Sequence, residues 1–505
     1  MPCLNRRLPD RKLAFAVTEE KGIGLKGWLA GPGAKKPKTE TPASLDKHRI
    51  AVLPLSNISP DPKDEYFADG ISDELISTIA KVQGLRVIAR TSSAKYKASG
   101  KGISEIGREL RSGSIVEGTV RKAGNRLRVT AQLVDSQSEE SLWSETYDRE
   151  LDDVFHIQAD IARKVAHALQ VKLLTTNRTK IEESPTTNSE AYLLYLQGRF
   201  LVKRSNEADY KQAINYFEHA IATDPKFALA YSGLAEAYSG LGFQGMMLSR
   251  EARPKAREFA EKALELDNTL AEAHLVTGRI LRTYDWDAKG AEKEYRRAIE
   301  LNPSLVEAYT SNALLLMSIG QFEEAIAEAK RALTLDPLSG STAGYAGTIF
   351  LYCGQYDDAV KQYTRALALD PEAAYAHNNL GLAYVQKGMF DKGIEEMQKA
   401  RESKNAQVLS DLAYAYARAG RFEELREILK RSLSEVEKNP ELALVVASSY
   451  ANLGDRDRAI DWLERARKDH LASLVTINNN FVFEKIRSDP RFQVLLKKIG
   501  FTNVL

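Results

Sequence analysis

The sequence predicts an α/β domain followed by an all-α superhelical solenoid. The phrases QFEEAIAEAKRALTLDP and QYDDAVKQYTRALALDP are successive copies of one pattern. Gly320 and Gly354 are 34 residues apart, as are Pro337 and Pro371. A fixed period of this length indicates stacked helical hairpins. Upstream, a buried-strand pattern at residues 49–55 (RIAVLPL) begins a different region in which strands and helices are mixed, which predicts an α/β domain.

Each copy of the pattern has the features of two packed helices. A small residue in the first helix, such as Ala313 or Gly381, lets the second helix approach closely. Gly320 at the turn supplies a left-handed backbone, and an Asp-Pro or Asn-Pro pair ends the hairpin because proline cannot continue a helix. These small, aromatic and proline positions recur together and resemble the tetratricopeptide repeat. The resemblance implies a solenoid that binds proteins or peptides.

We predict eight repeats over residues 190–470. Pro225 and Asn268 are 43 residues apart, so the second repeat should carry an insertion of about nine residues relative to the usual period, around residues 242–250. Residues 471–505 are predicted to form a segment that caps the exposed end of the solenoid. The predicted repeats start near residues 191, 228, 271, 306, 340, 374, 406 and 440.

Residues 1–46 are predicted to be a disordered leader because they are polar, basic and rich in proline and glycine towards their end. They contain a formal GxGxxG at residues 22–27. A dinucleotide site would need a strand before this motif and a long helix after it. The following Gly31-Pro32-Gly33 does not suit a long helix, so a dinucleotide-binding enzyme is the least favoured interpretation.

Residues 47–174 are predicted to form the α/β domain, and the polar residues 175–189 a linker to the solenoid. Hydrophobic alternation and helical periodicity place the elements. In chain order these are a strand at 49–55, a helix at 69–83, a strand at 85–89, a helix at 103–110, three antiparallel strands within 114–149, and a helix at 153–170.

Four phrases of this region, IAVLPLSNIS, YFADGISDELISTIAKV, VEGTVRKAGNRLRVTAQLVD and LWSETYDREL, resemble the TolB-like amino-terminal domain of bacterial regulators. The stretch ELRSG at residues 109–113 departs from the Leu-Gly that the family commonly has there. In that family an effector usually precedes this domain: a winged-helix DNA-binding domain, a class III nucleotide cyclase or a Ser/Thr kinase. The resemblance therefore implies an alternative, the sensory or regulatory half of such a regulator, with its effector domain absent from this chain.

Composition and motifs favour a non-enzymatic protein. The formal net charge is +2, and Cys3 and Cys353 are the two cysteines, so we predict no nucleic-acid partner and no cysteine metal site. No arrangement typical of a nucleophile or a metal ligand set is present, so we predict no catalytic residue, metal or cofactor. No apolar run is long enough for a membrane helix. We therefore expect a cytoplasmic chain, or a periplasmic-facing one if an upstream membrane helix is missing.

The predicted function is a scaffold that binds partner proteins or peptides, of some acidic character, in a groove lined by the first helices of the repeats. Arginine can hold a carboxylate with two hydrogen bonds, and asparagine can hold a peptide backbone. The alternative for each side chain is an ordinary solvated helix face. The predicted groove residues are Arg199, Lys203, Arg279, Arg282, Asn378, Gln386, Tyr414, Arg418 and Asn452.

Overall fold

A mixed six-stranded sheet forms the first part of the described chain. We analysed a computed structural model, which describes residues 45–171, 184–204, 206–243, 246–400 and 405–500. The GxGxxG motif lies outside these residues, as does most of the predicted linker. The strands are β1 Arg49–Val52, β2 Ser56–Asn57, β3 Arg86–Val87, β4 Ser114–Ala123, β5 Arg126–Asp135 and β6 Ser141–Glu150.

The strand order is β3-β1-β4-β5-β6, with β2 paired to β4. Strand β1 runs parallel to β3 and β4, whereas β4, β5 and β6 form an antiparallel meander. The predicted α/β fold class is therefore confirmed. The helices of this part are α1 Glu65–Ala80, α2 Arg90–Ser93, α3 Ile103–Leu110 and α4 Val154–Ala168.

Alternation along β5 explains how the sheet is covered. Leu127, Val129 and Leu133 are fully or almost fully buried, while Arg126 and Arg128 between and beside them are exposed. The buried side chains pack in one hydrophobic cluster with those of α1 and α4. A strand with this period of two covers one face of a sheet and leaves the other polar.

Eight consecutive helical hairpins follow in the described part of the chain, which confirms the predicted solenoid class. Each predicted repeat start lies within two residues of the start of a first helix. The hairpins are α5 Ser189–Val202 with α6 Glu207–Thr223, α7 Ala228–Phe243 with α8 Ser249–Leu266, α9 Ala271–Ile280 with α10 Ala288–Leu301, α11 Val306–Ser318 with α12 Phe322–Leu335, α13 Gly340–Tyr352 with α14 Tyr356–Leu369, α15 Ala374–Gln386 with α16 Phe390–Ala400, α17 Ala406–Arg418 with α18 Phe422–Glu435, and α19 Leu442–Leu453 with α20 Arg456–Lys468.

The third hairpin has an irregular turn. A π-helical segment, Leu281–Asp285, continues α9, and Trp286 then adopts a left-handed backbone with a φ of 58°. Ordinary repeats use glycine here, as Gly320 and Gly354 do with φ values of 82° and 78°. The extra residues place Trp286 beyond the end of the hairpin.

A segment after α20 continues the solenoid core. It contains two 3-10 turns, Ala472–Thr476 and Phe481–Ile486, and the helix α21 Pro490–Lys498. Leu474, Phe483 and Phe492 are almost completely buried and belong to the same hydrophobic cluster as the last repeats. The segment therefore covers apolar surface that the last hairpin would otherwise expose.

In the sixth hairpin, α15 and α16 lie so close together that an added methyl group should destabilise the fold. A Cβ added to Gly381 would lie 2.5 Å from the carbonyl oxygen of Gly393 and 2.6 Å from Cγ of Met397. We expect Gly381→Ala to lower the free energy of unfolding by about 1–3 kcal/mol, because α15 and α16 must separate. Urea denaturation measures this change.

Gly340→Ala is the matched control, since a Cβ there would meet its nearest atom at 3.4 Å. That variant should be as stable as the wild type or more stable, because alanine gives the unfolded chain less conformational entropy than glycine does. Equal stability of the two variants would contradict backbone contact between α15 and α16.

Candidate interaction groove

The first helices of the hairpins, α5, α7, α9, α11, α13, α15, α17 and α19, form the surface that we call the groove. The nine predicted groove residues all lie on these helices or directly after them. They do not come together in one site. They fall into an early, a middle and a late group, with Asn452 near the end of the solenoid.

The early group is covered by the α/β domain. Arg199 on α5 donates a hydrogen bond from Nη1 to Oε2 of Glu236 on α7, at 2.9 Å. Lys203 forms an ion pair with Asp73 of α1. Burial lowers the pKa of Lys203 to about 8, because desolvation disfavours the charged ammonium. Both predicted groove cations therefore have acidic partners within the chain.

A second carboxylate of α1 also meets the early groove. The hydroxyl of Tyr195 on α5 donates to Oε1 of Glu74 at 3.4 Å. Burial raises the pKa of Glu74, and the nearby Arg199 acts in the opposite direction. Helix α1 thus contributes acidic groups to a partly buried polar interface with the first repeat.

The α/β domain is also attached to the loop between the fourth and fifth repeats. The Asp336 carboxylate is buried and accepts hydrogen bonds from Ser92 Oγ at 2.5 Å, Thr91 Oγ1 at 2.7 Å and Thr342 Oγ1 at 2.8 Å. Ser92 Oγ in turn accepts from the backbone N–H of Leu338 at 2.8 Å. Sequence reasoning missed this contact, because Asp336 belongs to the same Leu-Asp-Pro phrase that other repeats carry.

The middle group contains two arginines that form no ion pair with a described residue. Arg279 Nε donates to Ser311 Oγ at 3.4 Å, and Arg282 lies against the hydroxyl of Tyr295. Within the described residues, neither guanidinium has a carboxylate oxygen within 4 Å. Burial raises the pKa of Glu307, and the more distant charge of Arg279 acts in the opposite direction. Neither arginine therefore has the close acidic partner that the early groove cations have.

The late group is a hydrogen-bonded network. Gln386 Nε2 and Arg418 Nη1 both donate to Tyr414 Oη, at 3.1 and 2.6 Å. Asn378 Nδ2 donates to Oδ2 of Asp411 at 2.7 Å. Asn378 and Tyr414 are each only 2% exposed. These side chains therefore join neighbouring first helices to one another.

Asp411 is a fully buried carboxylate in this network. Its second oxygen accepts from Gln407 Nε2 at 2.8 Å. Burial raises the pKa of Asp411 to about 6, although the two hydrogen bonds act in the opposite direction. Desolvation therefore outweighs hydrogen bonding at this position.

Asn452, the last predicted groove residue, contacts the segment after α20. Its Nδ2 donates to the carbonyl oxygen of Val482 at 3.0 Å and to that of Ser448 at 2.8 Å. The residue type chosen for holding a peptide backbone thus holds a backbone carbonyl of the same chain. Whether any of the nine residues binds a separate partner stays a prediction.

The described residues contain neither a metal-binding cluster nor a helix that could span a membrane. Among them, no group of three or more histidine, cysteine or acidic side chains is arranged to hold a metal ion. His274 and His377 instead pair with Glu294 and Glu396, at 2.5 and 2.8 Å. None of the helices that the structure describes combines the length and apolar character needed to cross a membrane.

Comparison with known families identifies the repeats. Models described as tetratricopeptide repeats match residues 287–339 and 372–475, and a model described as a TPR repeat matches residues 347–388. These ranges lie in the third to eighth hairpins. This part of the chain therefore consists of tetratricopeptide repeats, as the sequence predicts.

Known relatives are larger proteins. The chain is 34% identical over 260 residues to "Putative adenylate cyclase 3" of Rhizobium meliloti (strain 1021), which covers 50% of this chain and 44% of that protein. It is 23% identical over 301 residues to "Transcriptional regulator HilA" of Salmonella typhimurium, covering 59% of this chain and 51% of the relative. The chain spans about half the length of the curated relatives it matches.

One solved structure matches part of this chain. The crystal structure of MamA protein is 26% identical, with a TM-score of 0.27, and the match covers 34% of this chain and 94% of MamA.

Removal of the Asp336 carboxylate tests the attachment of the α/β domain. Asp336→Ala leaves the buried hydroxyl groups of Ser92 and Thr342 without their acceptor, together with that of the exposed Thr91, so we expect the free energy of unfolding to fall by about 2–4 kcal/mol. Urea denaturation measures the loss. Asp370→Ala, at the equivalent place one repeat later and exposed to solvent, should change stability much less. A similar effect of both substitutions would contradict a special role for Asp336.

The buried Asp411 predicts a pH dependence of stability. Since its pKa is raised to about 6 from 3.8, the folded state holds this proton more tightly than the unfolded state. The contribution of this carboxyl to stability is fully present below its unfolded pKa, and it falls by up to about 3 kcal/mol as the pH rises from about 4 to about 6. Asp411→Asn should remove this fall, whereas the exposed Asp370→Asn should retain it. Urea denaturation across this pH range measures the free energy of unfolding of each variant. The same dependence of this free energy on pH in both variants would contradict its assignment to Asp411.

Proposed function

We propose that the chain is a non-enzymatic scaffold that binds protein or peptide partners through the groove. The observation that carries this proposal is the pair of arginines in the middle group, Arg279 and Arg282, neither of which forms an ion pair with a described carboxylate. Tetratricopeptide repeats present extended surfaces for binding, and guanidinium groups suit carboxylates. We propose an acidic segment of a partner protein as the ligand of this middle group.

The α/β domain is proposed to be TolB-like, and the scaffold to act in bacterial signalling or regulation. Support comes from the four sequence phrases and from the mixed sheet that they form. We propose no cofactor and no nucleic-acid partner. The proposed compartment is the cytoplasm, with a periplasmic-facing position as the alternative if a membrane helix precedes this sequence.

Loss of the two arginines tests the scaffold function. The full chain carrying Arg279→Ala and Arg282→Ala should capture at least tenfold less of its partners from a lysate of its native cells, because two positive charges leave the groove. Quantitative mass spectrometry of captured proteins measures this. Arg296→Ala with Arg297→Ala is the matched control, since both arginines lie on the second helix α10 and are exposed. Equal capture by both double variants would overturn the role of the middle group.

A second candidate function is the sensory or regulatory half of a larger effector protein. The observation that favours it is that the relatives are named as a cyclase and a transcriptional regulator, and that the chain spans about half of each. The intact mass of the protein from its native cells distinguishes the two candidates. A mass near 56.2 kDa favours a separate scaffold, and a larger mass favours the regulatory half.

A further inference from the structure

The segment after α20 crosses from the last repeat back to the third one. Helix α20 ends at Lys468, and His470 turns the chain with a left-handed backbone, at a φ of 50°. The ring of His470 then stacks on Trp286, with centroids 4.9 Å apart and planes inclined by 20°. From this point the segment runs over the ends of first helices that are far away in sequence.

The segment makes a polar contact at the end of α11. Asn479 Nδ2 donates to the carbonyl oxygens of Met317 and Ser318, at 2.7 and 3.2 Å. Both carbonyls belong to the last turn of the helix, where intrahelical donors run out. Met317 also accepts from the backbone N–H of Gly320 at 3.1 Å, so Asn479 gives this carbonyl a further donor. The end of α11 therefore accepts hydrogen bonds from a side-chain amide and forms a subsite for one.

An aromatic subsite lies one repeat further along. The Phe481 ring stacks on Tyr352, with centroids 5.1 Å apart and planes inclined by only 9°. Tyr356 meets the same ring edge-on, at 6.5 Å and 63°. Tyr352 ends α13 and Tyr356 begins α14, so the turn of the fifth repeat forms a slot for one aromatic side chain. Such pairs contribute beyond the area they bury.

The next residue is held by its backbone. Asn452 Nδ2 on α19 donates to the carbonyl oxygen of Val482 at 3.0 Å. This contact requires no particular side chain on the occupant. The three subsites together recognise a side-chain amide, an aromatic ring two residues later and the backbone carbonyl of the next residue. These groups lie within the four successive residues 479–482.

We propose that these three subsites form a peptide-binding site, and that residues 479–482 (Asn-Asn-Phe-Val) are its intramolecular occupant. The partner is a protein segment of the same chemistry: a side-chain amide, one further residue, an aromatic residue and an apolar residue. This inference rests on the proposed scaffold function and names a partner class for the three subsites. The groups that contact Asn479, Phe481 and Val482 are carbonyls, aromatic rings and a side-chain amide, so this ligand is neutral rather than acidic.

Because residues 479–482 are tethered to their own site, they should lower the apparent affinity of that site for a free peptide. A segment joined to its own site competes at a high effective concentration. A free peptide then binds only the fraction of molecules in which the site is open, and its apparent affinity falls by that fraction. Weakening the occupant should therefore strengthen the binding of a peptide supplied from outside.

The test uses the full chain and a fluorescent peptide with the sequence of residues 477–486, INNNFVFEKI. Fluorescence anisotropy should show at least tenfold tighter binding to the Asn479→Ala/Phe481→Ala variant than to the wild type. A peptide carrying alanine at the same two places should not bind. Adding Tyr352→Ala to the variant should remove binding, because the aromatic slot is lost.

Val494→Ala is the matched control, since Val494 is an exposed residue of α21 in the same segment, and it should bind the peptide no better than the wild type. Circular dichroism establishes that each variant is folded. If the double variant does not fold, the single Asn479→Ala variant, which loses two hydrogen bonds and keeps the ring, should bind at least threefold tighter than the wild type. Equal binding by a folded variant and the wild type, or no effect of Tyr352→Ala, overturns the proposal.

The outcome is separate from that of the partner-capture experiment. Loss of peptide binding with capture through Arg279 and Arg282 intact overturns this inference alone. Peptide binding without such capture overturns the role of the two arginines and leaves the proposed peptide-binding site in place.

Discussion

The buried carboxylate of Asp336 is the interaction on which the arrangement of the described chain depends. It accepts three hydroxyl hydrogen bonds, two of them from the start of α2 in the α/β domain. A buried carboxylate is costly unless its oxygens are satisfied, so the hydroxyls must be in place for the fold to tolerate it. The contact fixes the α/β domain against the junction of the fourth and fifth repeats, while α1 meets the first repeat through Asp73 and Glu74. The domain thereby spans the early half of the solenoid.

The solenoid is also contacted from the other end of the chain. The segment after α20 reaches Trp286, the end of α11 and the turn of the fifth repeat. A repeat protein is stabilised mainly by contacts between neighbouring hairpins. Here, two pieces of chain outside the repeats add long-range contacts to those between neighbours. The middle arginines form no ion pair with a described residue, which distinguishes them from Arg199 and Lys203 of the early group.

Local rules in the sequence were sufficient for the helical hairpins. The period of 34 residues and the placement of small residues, such as Gly381, predict hairpins whose starts agree with the structure to within two residues. The sequence did not predict which positions meet across the solenoid, because the repeats use the same residues for different purposes. Asp336 and Asp370 stand in the same phrase, yet only Asp336 is buried against another domain. For the candidate site, Asn452 lies on a first helix, as the repeat register predicts, and its role in a binding groove stays a prediction. Its intramolecular partners depend on superhelical geometry that periodicity does not specify.

The contact between Ser92 and Asp336 joins residues separated by 244 positions in sequence. On a ribosome that adds 5–20 residues per second, Asp336 is synthesised roughly 12–50 s after Ser92. The α/β domain is complete only at Ala168, the end of α4, so it exists without its acceptor for roughly 8–34 s at that rate, while the first three hairpins emerge and stack in order. The α/β domain can therefore complete its docking only late in synthesis, after the fourth and fifth repeats have formed. A ribosome pause before this point leaves Thr91 and Ser92 exposed to water and the early repeats accessible to chaperones.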